Sequence, residues 1–95
     1  NLGVMGMIVK ELSREQKKER KLSHGILVIE VDPSGLAASQ DIKKGDVITY
    51  IGNIKIRNNR DLTNALEKAK EESKFAMIGI VRNGFQTFRS LKLTK

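Results

Sequence analysis

The stretch from His24 to Ile48 constrains the fold most. It runs Gly25-Ile26-Leu27-Val28-Ile29-Glu30-Val31, then Asp32-Pro33-Ser34-Gly35-Leu36-Ala37-Ala38, then Ile42-Lys43-Lys44-Gly45-Asp46-Val47-Ile48. An apolar, β-branched strand enters a Pro/Gly turn, a small-residue helical turn carries the chain over, and a Gly-Asp corner launches a second strand. Gly45 suits a corner that needs positive φ, and the Asp46 carboxylate is placed to accept loop amides. Because Ile26 to Val31 is almost continuously apolar, it reads as a strand covered on both faces at the centre of the fold.

Other elements assemble around that pair. Leu2 to Val9 opens as a glycine-interrupted apolar strand, and Ser13 with Gln16 has the spacing of a capping box for a short polar helix ending near Arg20. Val47 to Ile51 and Ile54 to Ile56 flank Gly52-Asn53, a hairpin or sharp bend whose turn type is left open. The clearest helix follows Asn58 or Asn59 as N-cap, with Leu62, Ala65, Leu66 and Ala69 at helical spacing, Asp61 in the first turn, and Glu67 and Lys70 as an exposed pair. Lys74 to Arg82, the type I′ signal Asn83-Gly84, and Phe85 to Leu93 complete a terminal hairpin. Strands outnumber helices, so the class is α+β: a small, partly closed, mainly antiparallel sheet or barrel capped by two helices.

Ninety-five residues make one domain with one modest core, too small for a protease or kinase domain. Aromatics at 4% leave that core aliphatic and give little for stacking on bases. The absence of cysteine removes disulfides and thiolate zinc ligation, and no cofactor or metal is expected. The formal charge of +7 invites a nucleic-acid reading. Much of the excess, however, lies at Lys17, Lys18, Arg20 and Lys21, interleaved with Glu15 and Glu19 as on a solvated helix face. Neither nucleic-acid binding nor membrane insertion is expected. No Gly-x-Ser-x-Gly elbow is present, and the one histidine, His24, reads as a solvated loop residue with no role. Met5, Met7 and Met77 read chiefly as core gap-fillers, Met7 being the one nearest any ligand.

Taken in order, Leu2-Gly3-Val4, Gly25-Ile26-Leu27-Val28, Ser34-Gly35-Leu36-Ala37, Ile42-Lys43-Lys44-Gly45-Asp46-Val47-Ile48, Leu62 to Leu66 and Val81-Arg82-Asn83-Gly84 resemble a PDZ domain of the bacterial HtrA/Deg serine proteases. The resemblance covers nearly the whole chain, 1–95, which then reads as a single PDZ domain cut from a longer protein. It implies that Leu2-Gly3-Val4 is a carboxylate-binding loop in which the backbone amides of Gly3, Val4 and Met5 chelate a terminal carboxylate while Leu2 and Val4 line the pocket below, and that Gly6, Met7 and Ile8 open a strand edge to an extended peptide. It makes the helix carrying Leu62, Ala65, Leu66 and Ala69 the far wall, with Leu66 divided between core and pocket. The implied partners are C-terminal or extended peptides of misfolded or substrate proteins, and the protease domain and other subunits of a parent oligomer in the periplasm or cell envelope. An interaction, oligomerisation or gating domain with an unused groove is the alternative, and an anion or nucleic-acid binder using the Lys17 to Lys21 face is a third and less favoured one. The chain departs from the family's Ser-Pro-Ala at Gly35-Leu36-Ala37 and from its Ala-Gly at Gln40-Asp41, departures expected to affect the loop and not the groove.

Overall fold

The computed structural model describes residues 5–72 and 75–93. Its elements are β1 (Met7–Glu11), α1 (Arg14–Arg20), β2 (Ile26–Val31), α2 (Leu36–Ser39), β3 (Val47–Ile51), β4 (Ile54–Lys55), α3 (Asn59–Glu72), β5 (Phe75–Arg82) and β6 (Phe85–Lys92). The six strands form one antiparallel sheet in the order β1-β2-β3-β5-β6, with β4 added to β3. The α+β reading holds, but the sheet stays open and does not close into a barrel, and α2 adds a third helical segment.

Local signals explain most boundaries. The Ser13 side chain accepts from the Gln16 amide while the Gln16 side chain accepts from the Ser13 amide, so the capping box starts α1 as expected. Lys21 ends it in the left-handed region. The Asn58 side chain accepts from the Asp61 amide at 2.9 Å, which fixes Asn58 as the cap of α3. Positive φ at both Asn83 and Gly84 matches the type I′ pattern. At the β3–β4 hairpin only Gly52 has positive φ, the pattern of type II′.

The expected centre moves by one strand. β3 pairs with β5 along one edge, while its other edge is shared between β2 at Val47 and Ile48 and β4 at Tyr50 and Ile51. β2 is not covered on both faces. Ile8 and Val9 of β1 oppose Glu30 and Val28, so Ile29 is an extra residue in a bulge, and it is exposed together with Glu30. A bulge of this kind shifts the side-chain phase, which a continuous apolar run conceals.

The inner face of the sheet packs against α3. Ile26, Val28, Ile48, Ile51, Ile78 and Ile80 meet Leu62, Ala65 and Leu66 in one aliphatic core, and each buried Leu contributes roughly 2 kcal/mol. Met7 is 1% exposed and belongs to this core. A smaller cluster on the opposite face joins Leu12, Val47 and Val81, with Leu22 and Leu27 packed against it.

Candidate functional site

Met5 and Gly6 lead into β1 with φ of +56 and +76. A non-glycine residue in that region carries roughly 1–2 kcal/mol of strain, so the turn must be held from outside. Two backbone bonds hold it: the Asp32 amide donates to the Gly6 carbonyl at 2.8 Å, and the Ala37 amide to the Met5 carbonyl at 2.9 Å. The two segments touch without side chains. A Cβ built on Gly6 would lie 2.9 Å from the Gly35 Cα, and one on Gly35 would lie 3.0 Å from the Gly6 Cα. The β2–α2 turn therefore grips the Met5-Gly6 turn through backbone alone. Leu2, Gly3 and Val4, the expected carboxylate loop, lie outside the described residues.

Beside this turn lies an apolar cleft of about 270 Å³, lined by Met5, Leu36, Leu66, Glu67, Lys70 and Leu93. β1 is the last strand of the sheet on this side, with β2 as its one strand partner among the described residues. α3 distributes the expected wall residues over two flanks. Leu66, 6% exposed, serves the core and the cleft together, whereas Leu62 lies wholly in the core. Ala65 and Ala69 line a separate hollow of about 260 Å³ between α3, the β3–β4 hairpin and the start of β5. That split follows from helical geometry: positions 65 and 69 share one flank, 66 and 70 the other. Met7 points its side chain into the core, and Ile8 is half-buried.

Leu36 was not expected at the cleft. The departure at Gly35-Leu36 reaches this cleft, because the backbone grip on Met5 brings the first residue of α2 beside it. An apolar residue opening a four-residue helix after Gly35 was the available signal. Lys70 and Glu67 likewise border the cleft, placing one cation and one carboxylate at its mouth.

Two features away from the cleft hold the frame. The Asp46 carboxylate accepts from the Lys43 amide at 2.9 Å, as the sequence suggested, and also from Arg82 Nε at 2.8 Å and Nη2 at 2.6 Å. The bonds to Asp46 raise Arg82 above its ordinary range. His24 is half-buried and not a solvated loop residue. Its Nε2 donates to the Thr49 carbonyl at 3.0 Å, which fixes the proton on that nitrogen, and Nδ1 then accepts from the Ser23 hydroxyl at 3.1 Å. Its ring meets Tyr50 edge-on at 5.1 Å. Burial, with Lys55 and Arg57 nearby, lowers its pKa from the usual 6.5.

An open antiparallel sheet of six strands whose end strand starts at a clamped glycine turn and borders an apolar cleft on a helix is a PDZ-like architecture. The chain matches the PDZ domain family over residues 3–93 and belongs to it. A probable periplasmic serine endoprotease, DegP-like, of Pseudomonas fluorescens is 33% identical over 91 residues, covering 96% of this chain and 19% of that protein. The chain thus spans about a fifth of the length of the curated relatives it matches. Among solved structures, the HtrA-type protease AlgW with a decapeptide matches at 27% identity and a TM-score of 0.69, over 93% of this chain and 27% of that one. The HtrA3 PDZ domain bound to a phage-derived ligand shares the fold at a TM-score of 0.73 and 19% identity, over 93% and 81% of the two chains.

Proposed function

We propose that this domain is the peptide-docking module of an HtrA-like serine protease of the periplasm, and that it adds apolar C-termini or extended segments of substrate proteins as a strand along β1. The open edge of β1, running from the clamped Met5-Gly6 turn beside the apolar cleft, carries the proposal. An antiparallel peptide lies between β1 and α3 and is held by main-chain bonds that are indifferent to sequence. Its last side chain enters the cleft between Met5, Leu36, Leu66 and Leu93, which suits an aliphatic residue. The carboxylate is taken by backbone amides of the Leu2-Gly3-Val4 loop, those of Gly3 and Val4 foremost, with Lys70 bordering the cleft. Because the Met5 and Gly6 carbonyls are already engaged by Ala37 and Asp32, the turn is ordered before the peptide arrives, which lowers the entropic cost of binding.

An amide-shift titration by NMR tests this. A short peptide ending in Val as the free acid is compared with the same peptide amidated. The expected result is shifts at Gly6 to Val9, Leu36 and Leu66 to Lys70 with the free acid, strongly reduced on amidation. Silence at these positions with both peptides, in a chain whose spectrum is that of a folded protein, removes the docking reading.

A further inference from the structure

We propose a second docking surface on the outer face of the sheet, on the side away from α3, that takes a protein surface carrying carboxylates around an apolar centre. Strand register places Tyr50 opposite Gly79, Gly79 opposite Phe88, Met77 opposite Ser90 and Phe75 opposite Lys92, all facing outward. Phe75, Met77 and Phe88 are 53%, 49% and 56% exposed, on a face where an ordinary solvated sheet alternates to polar residues. The rings of Tyr50 and Phe88 lie 6.1 Å apart, and Phe88 lies over Gly79 so closely that a Cβ there would stand 2.9 Å from its ring. Tyr50 and Phe88 therefore pack on each other and Phe88 on the Gly79 backbone, a pair of aromatic anchors of the kind that dominates binding energy.

Among the described residues, cover of this face is confined to one end. Leu12 and Leu22 close over Val47 and Val81, His24 closes over Tyr50, and beyond it the apolar positions remain exposed.

Charge selects the occupant. Lys55 stands opposite Tyr50 and Lys92 opposite Phe75, and the positions around the aromatic pair on β3 to β6, 50, 55, 75, 77, 79, 81, 86, 88, 90 and 92, include no carboxylate, Glu30 standing outward only on the more distant β2. Arg57 is near, but it is paired with Asp61 at 3.0 Å. A second copy would set Lys55 and Lys92 against their own kind on a chain of net charge +7. An acidic partner meets both lysines with opposite charge.

The test uses an amidated peptide alternating Glu with Phe and Leu, and a counterpart with Lys for Glu, titrated into the chain by NMR. Support is saturable shifts at Tyr50, Gly79 and Phe88 with the acidic peptide, and affinity about tenfold weaker for the basic one. The double variant Lys55→Glu with Lys92→Glu, which leaves the core untouched, reverses that preference. Met77→Thr with Phe88→Thr lowers acidic-peptide affinity about tenfold without changing binding of a free-acid groove peptide. Shifts confined to β1 and α3, equal affinity for both peptides, or no saturation at concentrations on the order of millimolar overturn the proposal. So does a concentration-dependent dimer in sedimentation that the threonine pair abolishes, which assigns the face to a second copy.

Discussion

The Gly45-Asp46 corner and the Met5-Gly6 turn solve the same problem with different means. Both launch a strand through positive φ and both are bonded to β2 or its following turn through backbone, the corner by the Gly45 amide on the Val28 carbonyl at 2.8 Å and the Val28 amide on the Asp46 carbonyl at 2.9 Å. The corner adds side chains: a buried carboxylate takes three bonds, two of them from Arg82 far along the chain, and Arg82 and Arg89 each donate to the Asp41 carbonyl at 2.8 Å. The Met5-Gly6 turn is fixed by two carbonyls and by the absence of side chains at Gly6 and Gly35. Charged anchors are strong, but they occupy the space they hold. A backbone clamp leaves the surroundings of the turn open, which is what a peptide-docking edge requires.

The contrast is easiest to break at the corner. Asp46→Ala leaves Arg82 without its bidentate partner and the Lys43 amide unsatisfied, and about 3 kcal/mol of stability should be lost in urea unfolding. Adding Arg82→Met should recover part of that loss, and a single-variant loss below about 1 kcal/mol would mean the corner holds without its charges. At the turn, Gly6→Ala meets both the left-handed backbone and the Gly35 Cα, and should cost about 2 kcal/mol while abolishing free-acid peptide binding. Peptide affinity that survives Gly6→Ala would show that the clamp does not shape the groove. Leu36→Ala enlarges the cleft and should weaken a Val-ending peptide about fivefold while relatively favouring a Phe-ending one, as read by calorimetry.

The smallest effect lies at His24. Its folded pKa is below the ordinary 6.5, so the unfolded chain binds the proton more readily, and stability falls as pH drops from that value through the folded one. His24→Gln should flatten the dependence of the thermal midpoint on pH in that window. An unchanged slope in the variant would assign the acid sensitivity to other groups.

The parts legible in the sequence were those whose cause is local. Ser13 with Gln16, Asn58 before the helix, and Asn83-Gly84 each determine a few neighbouring dihedral angles, and each is found where its spacing puts it. The resemblance of these pieces, taken in order, to a PDZ domain pointed to the family that the match over residues 3–93 shows. What stayed hidden depends on partners distant in the chain. Arg82 reaches Asp46 across 36 positions, and nothing near either residue announces the other. The bulge at Ile29 needs the β1 register to be seen, and Leu36 joins the cleft through a backbone bond to Met5. His24 looked solvated because its contacts, Thr49 and Tyr50, arrive from β3.

The clamp on the Met5-Gly6 turn also supplies a probe of its own state. The Asp32 and Ala37 amides donate into that turn yet belong to a different part of the chain, so their hydrogen-exchange rates record each opening of the turn without any label placed on it. Slowed exchange at these two amides, with Ser39 and Gln40 unchanged, would report stiffening of the turn separately from stiffening of α2. Under the proposed docking, occupancy of the cleft would be read in two protons that need not touch a ligand.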